Sequence, residues 1–257
     1  MPGELERLID PHAAPKKVAG GFGAAAGPVF SRLGYLLFSD IEASRIMKWE
    51  AGRASVFREK SSGSIGLTFD HQGRLLTCER GRVTRTEKDG EIIVLADQLH
   101  APHDLVYAID GSIYFSDTTA STIYQITRKG AVRVVSRDCE LPSGVALAPN
   151  QQKLYAAETA GKKIWLYAIA GDGTLRDGRV FASARAHGLK TDETGNVWVT
   201  DDHSIAVFDA HGLRLGEMPL PEDPNNCAWG DGFRNLYVTA KTSVYKIETK
   251  VNGTRTY

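Results

Sequence analysis

Apolar residues recur along the chain in runs of four or five, and each run is cut short by Gly, Asn or Asp. The stretch 99–117, LHAPHDLVYAIDGSIYFSD, shows the unit. It holds a proline, the polar pair His103-Asp104, a short apolar run, an Asp-Gly turn, a second apolar run and a closing Asp117. Short runs rich in Val, Ile, Leu, Tyr, Phe and Trp, punctuated by turn formers, predict β-strands joined by hairpins. The unit recurs six times, headed by Ala26-Gly27, Ile65-Gly66, His103-Asp104, Ser143-Gly144, His187-Gly188 and Asn226-Cys227. The spacings, roughly 39, 38, 40, 44 and 39 residues, fall in the range of propellers and solenoids. Second runs end at Asp40, Glu79, Asp117, Glu158, Asp201 and Ala240, and a third follows in most units, as in SRIMKWE, STIYQIT, KKIWLYAI and TSVYKIE.

Six units of about four antiparallel strands predict an all-β, six-bladed β-propeller. The whole chain, 1–257, reads as one propeller domain, with 1–15 an N-terminal extension carrying a short helical turn around 4–9. The last unit has only KVNGTRTY after its third strand, too little for an outer one. The isolated run Lys16–Gly20 is therefore expected to complete the sixth blade and remove its exposed edge. The longest insertion, 170–178, belongs to a surface hairpin of the fourth unit.

Composition narrows the partners. A 42% hydrophobic share supplies cores between stacked blades. Equal totals of 31 basic and 31 acidic residues give no electrostatic case for nucleic acid or an anionic membrane. No apolar run approaches a membrane span, and the first residues lack the apolar stretch of a secretory signal. Cys78, Cys139 and Cys227 have no metal-binding or paired spacing and read as buried reduced thiols. The expectation is a cytoplasmic protein acting on a small molecule.

In a propeller the first strand of each blade lines the central channel, so equivalent residues form a ring at one mouth. That ring reads Ala26, Ile65, His103, Ser143, His187 and Asn226. Two units contribute an apolar wall, and four contribute two imidazoles, a hydroxyl and an amide. An apolar cleft with a few convergent polar groups is the default ligand site.

The stretches AGPVF…LLFSDI (26–41), IGLTFDHQGRLLTCERGRVTR (65–85), APHDLV…DGSIYFSD (101–117), PSGVALAPNQQKLYAAET (142–159), AHGLKTDETGNVWVTD (186–201) and NNCAWGDGFRNLYVTA (225–240) carry a resemblance. Over 16–247 the chain resembles the family of senescence marker proteins, gluconolactonases and luciferin-regenerating enzymes. The resemblance implies a divalent cation, often calcium, at the channel mouth and hydrolysis of lactones or related esters. It also places the usual ligands at positions where this chain differs: the EGP glutamate is Ala26, the NGL asparagine Ile65, the PND asparagine His103, the PNG asparagine Ser143 and the PDG aspartate His187. Calcium wants several hard oxygen ligands including carboxylates, and this ring has none, so the ordinary calcium-dependent lactonase is not expected.

Two histidines in those places suggest metal-free acid–base chemistry, one imidazole taking a proton and the other giving one, against the water-excluding wall of Ala26 and Ile65. Such a site suits cyclisation, elimination, isomerisation or lactone and ester opening. Ser143 is the third catalytic candidate, as an oxyanion donor more than a nucleophile, because no GxSxG elbow surrounds it. Ala26, Ile65, Asp104, Asn226 and Glu79 are the substrate-contact candidates. No cofactor is expected. One alternative is a transition metal such as zinc on His103 and His187, with Asp104 in support; another is a non-catalytic, ligand-binding propeller.

Bland readings cover the rest. Asp40, Asp117, Glu158 and Asp201 read as turn-capping acids, while Glu79, before Arg80 in a short segment, stands apart. His100 and His203 read as solvated loop residues, His12 and His71 carry no signal, and His211 reads as part of a turn. Tyr107, Trp198 and Trp229 read as blade core, and Lys241 as surface.

Overall fold

A computed structural model describes residues 3–255. Twenty-four strands form six four-stranded antiparallel sheets. Five sheets use consecutive strands, within residues 25–58, 67–96, 102–136, 142–183 and 189–219. The sixth joins three strands within residues 224–248 to Lys16–Gly20, which pairs antiparallel with Ser243–Glu248 in the register Lys16↔Lys246 to Gly20↔Ser243. The fold is the six-bladed β-propeller that the repeat spacing predicts, closed by the N-terminal strand. Closure leaves the last blade no bare edge where a fourth strand is due. Upstream, a single 3-10 turn at Glu4–Arg7 sets Leu5 against Gly216 of blade five, and Ile9 bridges to Thr249.

Period-two alternation explains the stacking. Inward and outward residues of each strand face different neighbouring blades, so the core is a set of wedges. Six buried clusters result, one per seam between blades. The seam of blades five and six holds the edge-to-face pair Trp198–Trp229, centroids 5.2 Å apart. Trp198 is fully buried, and its indole N–H donates to Asp192 at 2.9 Å. Cys78, Cys139 and Cys227 are free and buried in these seams, and burial raises each thiol, Cys227 to about 12.

The inner strands are Ala25–Phe30, Leu67–Phe69, Pro102–Tyr107, Pro142–Leu147, Leu189–Thr191 and Pro224–Gly230. Hydroxyls at the ends of second strands stitch alternate seams. Ser39, Ser116 and Thr200 donate to the carbonyls of Ile65, Ser143 and Asn225 in the following blade, at 3.0, 2.5 and 3.0 Å. Those carbonyls belong to the residues heading each inner strand, so the stitches fix the rim of the channel.

The acids closing the second strands hold the loop that leads into their own blade. Asp117 accepts from the N–H groups of His100 and Ala101, each at 2.8 Å, and Asp40, Glu158 and Asp201 do the same for Gly23, Glu140 and Arg185. Glu79 differs. Its buried carboxylate takes Arg58 at 2.6 Å, Arg82 at 2.8 Å and Thr84 at 3.0 Å, a brace between blades one and two.

Candidate functional site

The heads of the inner strands form the expected ring, with one change of register. Pro224 pairs with Ala240 as Pro102 pairs with Asp117 and Pro142 with Glu158. The residue after each proline is the ring member, so blade six contributes Asn225 and not Asn226. The ring is therefore Ala26, Ile65, His103, Ser143, His187 and Asn225. The proline was the signal that could have found Asn225: counting back from the end of the second strand misses the extra residue that blade six carries between the two.

Asn226 belongs to the next level down, with Gly27, Gly66, Asp104, Gly144 and Gly188. Blades three and six face each other across the axis, and there Asn226 Nδ2 donates to Asp104 Oδ2 at 3.2 Å. The same oxygen accepts the Val145 N–H at 3.2 Å, and both side chains are buried. The four glycines make room for this crossbar. A Cβ on Gly188 would lie 2.2 Å from Asn226 Oδ1, and one on Gly66 would lie 2.9 Å from Asp104 Oδ1. Gly27, at φ 49°, has no room for a side chain either: a Cβ there would meet the Ile65 carbonyl at 1.9 Å. The crossbar lies one level below the six ring residues, and the cup above it is bordered by the four that are partly exposed, Ile65, His103, His187 and Asn225.

Within the cup His103 and His187 are half-buried on blades three and five. Burial pushes the His103 imidazole below its ordinary value. The charge of Asp104 and the carbonyl of Ser143 oppose that shift, and His187 adds to it. The two rings therefore sense each other across the cup. His187 is also lowered, first by burial and then by Arg185, against the pull of Asp202 and Asp201. The His103 Nδ1 atom is buried without a hydrogen-bond partner among the described residues, so a ligand or water there would satisfy it. Ala26 is fully buried and Ile65 partly so, and together they make the apolar side.

The other candidates sit elsewhere. Ser143 is buried, and its hydroxyl donates to the Ala186 carbonyl at 3.4 Å. No base bonds to it among the described residues, so it braces blades four and five. Glu79 is buried and held by its two arginines, Arg58 and Arg82. His203 and Lys241 are both bonded to Asp223, Lys241 at 2.6 Å, which ties the turns of blades five and six together at the rim. His100 is exposed and His211 sits in a turn capped by Asp209. Tyr107 and Trp229 line the lower channel, and His71 Nδ1 lies 2.5 Å from the Tyr107 hydroxyl.

The donors do not fit the hard cation of the resembled family. The ring offers two imidazoles and a half-buried amide but no carboxylate. The nearest acid, Asp104, lies a level deeper with its Oδ2 already accepting two hydrogen bonds. Among the described residues no three His, Cys, Asp or Glu side chains converge as a metal site would require. Also among them, no helix is long and apolar enough to cross a membrane.

Comparison with known proteins agrees with this architecture. Residues 24–242 match the family model described as "SMP-30/Gluconolactonase/LRE-like region". A gluconolactonase of Zymomonas mobilis is 23% identical over 97% of this chain and 85% of its own length. A pentonolactonase of Haloferax volcanii is 27% identical over 79% of this chain and 76% of its own. A structural-genomics crystal structure with a provisional gluconolactonase assignment superposes with a TM-score of 0.91, at 26% identity over 98% of this chain and 97% of that one.

Proposed function

Since the chain belongs to the SMP-30/gluconolactonase/LRE-like family, we propose that it is a hydrolase opening lactones of small polar metabolites, with two imidazoles in place of the usual metal. The substrate class follows the gluconolactonase and pentonolactonase relatives. The observation that carries the histidine mechanism is the pairing of His103 and His187 on one polar side of the cup, opposite Ala26 and Ile65.

The chemistry starts with both imidazoles neutral, because burial disfavours their charged forms. One ring accepts a proton from water as its oxygen adds to the lactone carbonyl carbon. The tetrahedral adduct collapses, the bond from that carbon to the ring oxygen breaks, and an imidazolium gives its proton to the departing oxygen. The product is an open-chain hydroxy acid, the ring is neutral again once its proton is on the departing oxygen, and the new carboxylic acid loses its proton to solvent. The charge of a protonated His187 lowers His103 further, after burial. Ala26 and Ile65 limit the water that reaches the adduct.

The test is hydrolysis of hexono- and pentonolactones, followed by acid release with and without a chelator. Turnover is expected to survive the chelator and to fall about 100-fold or more in His103→Ala and in His187→Ala. Full activity in both variants, or loss with chelator that calcium restores, would falsify the mechanism.

A further inference from the structure

Below the crossbar the channel opens again into a separate chamber of about 60 Å³. Its wall is the lower ring of inner-strand residues: Val29, Thr68, Val106, Ala146, Lys190 and Ala228. Aromatic faces of Tyr107 and Trp229 extend it, and the C-terminal segment partly covers its outer end. That segment is pinned by the Asp192↔Gly253 bridge and by the Thr254 hydroxyl, which lies 2.8 Å from that of Thr191.

The chamber is largely apolar, with Thr68, Gln151, Lys190, Thr191, Thr254 and Arg255 as the polar residues on its wall. Lys190 is the cation that an inner strand supplies; it is half-buried, and its ammonium donates to the Leu189 carbonyl at 3.1 Å. No carboxylate pairs with it among the described residues, whereas Arg58, Arg74, Arg82 and Arg85 each have an acid beside them. The Thr68 side chain, also buried, faces the same space. A half-buried cation without a counter-ion has lost part of its hydration uncompensated, at some cost. An anion entering the chamber would relieve that cost, and the alkyl and aromatic walls favour one with an apolar body.

We propose that the lower chamber is a second ligand site, which takes a short aliphatic monocarboxylate. The carboxylate meets Lys190 and the Thr68 hydroxyl, and the alkyl end lies against Val106 and Ala146. A volume of about 60 Å³ holds roughly four or five water-sized groups, which matches acetate or propionate. The site does not depend on the lactone reading, because the Asp104–Asn226 crossbar separates the chamber from the cup.

Propionate binding to the full chain can be followed by ligand line broadening and by tryptophan fluorescence, since Trp229 lines the chamber. Saturable binding on the order of millimolar is expected for so small a ligand. Lys190→Met and Lys190→Gln should each weaken it about tenfold or more, with circular dichroism confirming that both variants fold. His103→Ala should leave it unchanged, and 1-propanol should not compete. No saturable binding, equal binding in folded Lys190 variants, or loss in His103→Ala would overturn the proposal. So would chloride binding as tightly as propionate, because the apolar wall would then contribute nothing.

Discussion

His103 and His187 occupy ring positions that set their chemistry through burial. Both imidazoles lie below the ordinary value, so the neutral, proton-accepting form persists into mildly acid solution. The acid limb of kcat/KM is therefore expected below about pH 6.5, the unperturbed histidine value; a limb above pH 7 would contradict it. Stability follows the same sign. The unfolded chain binds these protons more readily, so the contribution is complete above about pH 6.5 and is lost as pH falls through the folded-state values. Equilibrium denaturation between pH 7.5 and 5 should show the decline, reduced when both histidines are replaced by glutamine. Gly188 gives a second prediction. Gly188→Ala forces a methyl group to within 2.6 Å of the Asn226 Cα, and should lower the unfolding free energy by about 2 kcal/mol or more. The residues of the cup were legible where the unit is regular: a proline followed by a polar pair marks His103 directly. Asn225 carries the same mark behind Pro224, but the unit was headed one residue late, at Asn226, and strand pairing exposes the slip. The partners of Ser143 and Glu79 were not legible, since a sequence cannot say which backbone carbonyl or which arginine a side chain will meet.

Among elements, blade six solves its loop problem in reverse. Its second strand ends in Ala240, so no acid is available there to hold the incoming loop. Glu222, within that loop, reaches out instead. It accepts from the Thr242 N–H at 2.9 Å, from the hydroxyls of Thr242, Ser243 and Tyr245 at 3.0, 2.5 and 2.9 Å, and meets Lys17 of the closing strand at 3.5 Å. Although burial alone would raise its carboxyl, these donors bring it down to about 2. Its stabilisation is therefore present above about pH 4.3 and lost as pH falls toward 2. Glu222→Gln should cost about 1–3 kcal/mol at pH 7 in urea titrations, with the gap from wild type narrowing below pH 4. The strands and the capping acids could be read from the sequence because alternation and turn residues are local signals. Glu222 could not, since its role depends on what Ala240 lacks and on a strand more than 200 residues away.

At the scale of the whole molecule, six wedge-shaped cores have to meet, and the last seam depends on the first residues of the chain. Without residues 1–20, Ser243–Glu248 would present an unpaired edge, and the clusters of blade six would lose Leu8, Ile9 and Val18. Such a truncation is expected to aggregate or to unfold without a sharp transition, whereas removal of residues 1–3 alone should be silent in thermal melts. Ring closure was readable from a simple count of strands, because a circle cannot end one strand short.

The span from Asp104 to Asn226 has one more effect. It crosses the axis one level beneath the ring, so a product leaving on the far side would have to break it, and departure through the mouth is expected. A hydroxy acid lingering there blocks the next lactone, and product inhibition should be strictly competitive, with raised KM and unchanged kcat.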